Sequence, residues 1–265
     1  MSILIPALSI GGVGLVFGVI LAVASKIFHV DTDPRLEQIQ EVLPGANCGG
    51  CGFAGCASFA QNVLDGKAKV NGCPVGGADS AAKIAEIMGV AAPSEEEKQS
   101  AVVFCYGGCT SDKYDYNGLH DCVAAARLGG GPKACSYGCI GFGSCEKVCQ
   151  FGAIAVQDGV AVVDPEKCTA CGRCVEICPK GIISLVPASR RFDVLCSSAD
   201  KGAVTRSVCE TGCIGCRICE KKCEFGAITI ENNNATIDYT KCTHCGKCFE
   251  ACPRKIIYDR FPPVQ

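Results

Sequence analysis

Residues 2–25, SILIPALSIGGVGLVFGVILAVAS, run without a charge until Lys26. Crossing the hydrocarbon core of a bilayer takes about 20 apolar residues in a helix, so the run predicts one transmembrane anchor over 1–28. The A-x-A-like Ala22, Val23 and Ala24 offer a cleaved signal as the alternative, but no Lys or Arg precedes the run and it is long for a signal. Beyond Lys26 the pattern breaks into short amphipathic stretches. PRLEQIQEV (34–42) starts with Pro at a first helical position and stops before Pro44-Gly45, which predicts a short helix. ASFAQNVLDG (57–66) and residues 79–88 read as further helices, and the polar stretch 93–100 as a linker, with a domain boundary near 95.

From residue 135 the pattern repeats. CSYGCIGFGSCEKVCQFGAI from Cys135 matches CETGCIGCRICEKKCEFGAI from Cys209, a self-alignment that signals duplication. Each copy runs into alternating stretches, AIAVQDGVAVVD with Asp158-Gly159 at its centre and AITIENNNATID with an Asn-rich centre, which read as hairpins. The fold class expected is α+β: an N-terminal transmembrane helix, a small helical domain and two tandem copies of one module. The divisions are 1–28 for the anchor, 29–92 for the N-terminal domain, 93–134 for a linker and Cys-containing insertion, 135–187 for module 1 and 188–265 for module 2 with a C-terminal tail.

Composition changes the picture through cysteine. The chain has 25 among 265 residues, with 32 glycines and no Trp, far more cysteine than an ordinary core uses. Spacing chooses metal over a disulfide framework. The run C-x-x-C-x-x-C-x-x-x-C-P occurs at Cys168, Cys171, Cys174, Cys178 and Pro179, and again at Cys242, Cys245, Cys248, Cys252 and Pro253. In two-cluster ferredoxins the fourth cysteine of each run serves the other cluster. Carried onto module 2, one cluster takes Cys213, Cys216, Cys219 and Cys252, and the other Cys242, Cys245, Cys248 and Cys223. In module 1 the duplication sets Phe142 against Cys216, leaving Cys139, Cys145 and Cys178 one ligand short. Cys135 is the substitute expected, with a labile three-ligand cluster as the alternative, and Cys168, Cys171, Cys174 and Cys149 hold the neighbouring cluster. Cys48, Cys51, Cys56 and Cys73 form C-x2-C-x4-C-x16-C, a fifth [4Fe–4S] site with structural zinc as the alternative.

At least five [4Fe–4S] clusters are therefore expected, and the α+β fold is read as a small helical [4Fe–4S] domain followed by two tandem bacterial two-cluster ferredoxin-like modules. Cys105, Cys109, Cys122, Cys196 and Cys209 are left over; the first three mark a candidate sixth cluster, with Cys135 or a non-Cys ligand, and Cys196 and Cys209 read as buried free thiols. His29, His120 and His244 are scattered, and no catalytic triad, P-loop or G-x-G-x-x-G opening a helix is present. So many free thiolates need a reducing compartment, which with Lys26 places the soluble part on the cytoplasmic side of the cell membrane. Net charge is −6 through residue 164 and +4 beyond it. The basic half suits an acidic electron donor, or equally offsets cluster charge.

An uncharged N-terminal helix, CGGCGFAGC (48–56) with Cys73-Pro74, and downstream ferredoxin runs together resemble the B subunit of the Rnf complex, the ion-translocating ferredoxin:NAD oxidoreductase. The resemblance spans the whole chain and is most specific in its first 75 or so residues. It implies an electron-relay protein with no complete catalytic site of its own, which takes electrons from soluble ferredoxin and passes them to other membrane subunits. Their flavins and nicotinamide site then drive sodium or proton export. The second module is similar to the longer forms of anaerobes, whereas Phe142 and the absence of Pro after Cys149 and Cys223 depart from the ferredoxin pattern. The partners expected are those membrane subunits, soluble ferredoxin and the lipid bilayer, with no nucleic acid. A ferredoxin-like subunit of a membrane hydrogenase and an iron–sulfur sensor or scaffold are the competing readings.

Overall fold

The computed structural model describes residues 4–27, 33–91, 97–109 and 111–261. Helix α1 spans Leu4–Ile27, and Leu15, Phe17, Ile20 and Leu21 on it are all more than half exposed. Among the described residues no helix is long and apolar enough to cross a membrane. The anchor expected over 1–28 falls in part on residues outside them, 1–3 and 28, and on the side chains of 4–10 and 27.

Three helices follow as a small bundle: α2 (Pro34–Val42), α3 (Cys56–Leu64) and α4 (Gly77–Met88). Pro sits at the start of α2 because Asp33 supplies the cap, its carboxylate accepting from the Arg35 N–H at 2.9 Å; the proline lacks a donor that would be orphaned there. Ile39, Leu43, Phe59, Val63 and Ile84 bury against one another. The helix expected at 79–88 starts two residues earlier and ends on the left-handed Gly89.

Strand β1 (Gln99–Val103) pairs antiparallel with β4 (Ile183–Pro187), from Gln99 opposite Pro187 to Val103 opposite Ile183. This corrects the linker expected through Ser100. Ser100, Ala101, Val102 and Val103 are buried, and their ladder partner lies too far along the chain for local pattern to reveal. Between β1 and β4 come α5 (Cys122–Ala126), α6 (Ser144–Lys147), the hairpin β2 (Ile154–Gln157) and β3 (Val160–Val163), and α7 (Arg173–Ile177). Asp158 and Gly159 turn this hairpin with φ of 47° and 75°, the left-handed pair that matches strand twist.

The second copy repeats the plan. β5 (Phe192–Val194) pairs antiparallel with β8 (Ile257–Asp259), and between them lie α8 (Gly202–Val208), α9 (Ile218–Lys222), the hairpin β6 (Ile228–Glu231) and β7 (Asn234–Ile237), and α10 (Lys247–Ala251). Asn232 and Asn233 make its turn at φ of 46° and 62°. Each copy thus carries an extra leading strand on its closing strand. The copies meet where Arg260 donates to Ser100 Oγ at 2.8 Å and Ser197 Oγ to the Phe104 carbonyl at 2.9 Å.

Candidate metal centres

All 25 cysteines are free thiols, and five cavities gather 20 of them in fours. Site I is lined by Cys48, Cys51, Cys56 and Cys73. Its loop is fixed by Asn47, whose side-chain oxygen accepts from the Cys56 N–H at 2.8 Å where α3 begins, and the Cys73 thiol accepts from the Gly76 N–H at 3.3 Å. Site II is lined by Cys149, Cys168, Cys171 and Cys174; the Ala153 N–H donates to Cys149 Sγ at 3.3 Å and the Ala101 N–H to Cys168 Sγ at 3.4 Å. Site V is lined by Cys213, Cys216, Cys219 and Cys252. Cys223, Cys242 and Cys248 belong to the core of the second copy. Cys242 and Cys245 lie close enough to Cys248 to raise its pKa, and the Ala227 N–H donates to Cys223 Sγ at 3.3 Å. These four make site VI, the counterpart of site II.

Two fours differ from the expected grouping. Cys139, Cys145 and Cys178 share their cavity, site III, with Cys122, not with Cys135. Cys122 opens α5, where Asp121 accepts from the Ala124 N–H at 2.9 Å and from Ser144 Oγ at 2.7 Å, while Ser144 Oγ accepts from the Cys122 N–H at 2.7 Å. The insertion folds over Phe142, with Tyr116 stacked on it at 5.3 Å and His120 at 4.8 Å. It thereby delivers a thiol into the space a cysteine at 142 would have served.

Cys135 instead lines site IV with Cys105, Cys196 and Cys209. The grouping is two-fold. Cys105 follows β1 and Cys196 follows β5, and their thiols accept from the Cys139 and Cys213 N–H groups at 3.4 Å each. A Cβ on Gly138 would come 3.4 Å from Cys135 Sγ, and one on Gly212 the same distance from Cys209 Sγ. Each copy thus contributes an equivalent pair of cysteines to a cavity between them. The cavities thus set Cys196 and Cys209, expected as buried free thiols, beside Cys105 and Cys135, and Cys122 apart from Cys105 and Cys109. Cys109 lines none of these cavities; its thiol donates to the Ser111 carbonyl at 3.4 Å. The signal was present in the duplication, since Cys209 stands opposite Cys135 although the second copy keeps a full set of ligands without it.

The chemistry of the donor sets fits a polynuclear cluster. Burial pushes the Cys145 thiol up to about 12 and those of Cys174, Cys196, Cys219 and Cys248 up to about 11. Neighbouring cysteines contribute to these rises, so four such thiols do not ionise together without a bound cationic centre. Among the described residues no group of three or more His, Cys, Asp or Glu side chains is arranged to hold a metal ion. A single zinc needs four sulfurs about 2.3 Å from one point, whereas a cubane takes one thiolate at each of four separated irons. Four thiols spread around a cavity, with backbone N–H groups aimed at the sulfurs, match the second arrangement.

Contacts place the sites in single file. Arg173, beside site II, donates to the Cys48 carbonyl of site I at 3.1 Å, and a Cβ on Gly50 would lie 2.7 Å from the Cys171 carbonyl oxygen. Sites II and III share the core of the first copy. The Cys139-to-Cys105 and Cys213-to-Cys196 bonds tie site III to IV and IV to V, and sites V and VI share the second core.

Family models match three stretches: "Putative Fe-S cluster" over residues 43–75, "4Fe-4S binding domain" over 161–184 and "4Fe-4S dicluster domain" over 212–257. The chain is 49% identical over 259 residues to the B subunit of the Na(+)-translocating ferredoxin:NAD(+) oxidoreductase complex of Acetobacterium woodii, covering 97% of this chain and 78% of that one. It is 45% identical over 261 residues to the B subunit of the ion-translocating oxidoreductase complex of Methanosarcina acetivorans, covering 97% and 98% respectively. Over 247 residues it is 43% identical to the B subunit of the proton-translocating ferredoxin:NAD(+) oxidoreductase complex of Clostridium ljungdahlii, covering 91% and 87%.

Proposed function

The chain belongs to the family of B subunits of ion-translocating ferredoxin:NAD(+) oxidoreductase complexes, and on that footing we propose that it is the complex's electron relay, built from six cysteine-ligated [4Fe–4S] sites in single file. The observation that carries this is the gathering of cysteines in fours in the cavities of sites I to V, linked one to the next; site VI is added as the counterpart of site II in the duplication. When bound, each cluster supplies a one-electron carrier. The protein supplies the thiolates, the N–H groups that donate to sulfur and favour the reduced state, and full or partial burial of every ligand but Cys216 and Cys245. Two tandem two-cluster modules, joined by the shared site IV, make up residues 97–261 in this reading.

The donor is soluble reduced ferredoxin, and the acceptors are the membrane subunits that complete NAD reduction and export sodium or protons. Helix α1 tethers the relay to the membrane as a single pass with the cluster domains on the cytoplasmic side. The described residues alone contain no helix long and apolar enough to span, so the tether rests on the uncharged sequence run 2–25, which as a helix would rise about 36 Å at 1.5 Å per residue, against a hydrocarbon core of about 30 Å. The relay reading is tested by anaerobic titration of the iron-loaded full-length chain with reduced ferredoxin. Uptake of about six electrons per chain, one per cluster, is expected. A loaded chain that low-potential donors do not reduce would refute it.

A further inference from the structure

The single file has two ends. Site I, at one end, belongs to the domain that follows α1. Site VI, at the other, is left uncovered at Cys245 by the described residues, and its surroundings are best understood by comparison with site II, its counterpart in the duplication. The loop Thr169–Arg173 at site II is covered by the Gly-rich loop of site I, with Gly50 against the Cys171 backbone and Arg173 bonded to the Cys48 carbonyl. Ala170 and its equivalent His244 share the same left-handed turn, at φ of 56° and 59°, so the two loops present alike. Yet Cys171 is half-buried and Cys245 is exposed, as is Thr243 where Thr169 is half-buried. Phe225 and Phe249 are 48% and 42% exposed, whereas their equivalents Phe151 and Val175 are half-buried. Lys247 carries its ammonium out to Glu224 on the same surface, where Arg173 turns to the neighbouring domain.

We propose that the face around Cys245, bounded by Thr243, Lys247, Phe225 and Phe249, is the docking surface for the soluble electron carrier, a small protein that presents its own cluster on a Gly-rich loop. The internal contact of site I on site II is the template: a glycine loop lying on the cluster loop, close enough that a side chain would not fit. In the first copy that position is taken permanently by the N-terminal domain. In the second it is left to a partner that comes and goes, at the terminal site. The proposal rests on the relay reading and adds its entry point. Cys216, at site V, is the other exposed cysteine, and it defines the rival face. Since site V has neighbours on both sides in the file, entry there would leave site VI a dead end.

The test uses the iron-loaded full-length chain in detergent and a soluble two-cluster ferredoxin, with binding measured on a biosensor and reduction by stopped flow. Thr243→Arg fills the Cys245 face without touching a ligand, and both affinity and the second-order reduction rate are expected to fall about tenfold or more. Ile218→Arg, on the Cys216 face, is expected to change either by less than about twofold. The reverse ranking, or equal insensitivity of both variants, overturns the proposal. A wild-type chain that ferredoxin neither binds nor reduces refutes the relay reading itself, which separates the two failures. If Thr243→Arg does not retain its iron, Lys247→Glu takes its place under the same criteria.

Discussion

Replacing Cys122 and Cys105 together distinguishes the grouping seen in the structure from the one the sequence suggested. With six cubanes at four irons each, the loaded chain holds about 24 irons. Cys122 belongs to site III and Cys105 to site IV, so each single Cys→Ser variant loses about four irons and the double variant about eight, leaving about 16. Cys105 and Cys135 share site IV, so that double variant loses no more than either single and holds about 20. Partners in one site are non-additive and partners in different sites are additive, which is the logic of a double-mutant cycle applied to metal content. Serine keeps the shape of the cysteine side chain while removing the thiolate, so iron content reports the lost ligand at the 8% exposed Cys122. Anaerobic iron and acid-labile sulfide assays on purified protein give the counts. Additive loss for Cys105 with Cys135, or shared loss for Cys105 with Cys122, would refute the assignment.

Three further outcomes follow from other parts of the structure. Cys109→Ser leaves iron content unchanged at about 24, because its thiol bonds the Ser111 carbonyl and lines none of the four-cysteine cavities; loss of four irons would contradict this. Gly50→Ala forces a methyl to 2.7 Å from the Cys171 carbonyl oxygen, a contact neither backbone can yield cheaply, so proteolysis between the N-terminal domain and the rest should accelerate while iron content holds. Arg260→Met strips the guanidinium that bonds Ser100 and lies 4.0 Å from the fully buried Asp193. Uncompensated buried charge costs about 3 kcal/mol or more, read as a lower midpoint in anaerobic thermal unfolding.

Much of the architecture was legible because it is local. Pro34 marked one helix, Asp158-Gly159 and the Asn-rich stretch marked the two turns, and the spaced cysteine runs picked out the same fours that line the cavities of sites I, II and V. What escaped was long-range. β1 pairs with a strand some 80 residues on, and nothing in QSAVV says so. Phe142 stands where a ligand is missing, and local pattern points to the nearest aligned cysteine in its place, but the insertion reaches back with Cys122 through the Asp121–Ser144 bonds, a contact across 23 residues. Site IV lay hidden because its four cysteines come from two copies, and counting ligands within one copy leaves each pair looking spare. The retained match of Cys135 to Cys209 was the clue, since a substitute ligand would have had no reason to recur.

An iron anomalous-scattering map from crystals of the loaded full-length chain tests the central claim most directly. Six peaks are expected, one inside each group of four cysteines, running in order from Cys48 to Cys245, with the fourth peak between the two copies among Cys105, Cys135, Cys196 and Cys209. Five peaks with none at that junction, or a peak placing Cys135 beside Cys139, Cys145 and Cys178, would contradict it.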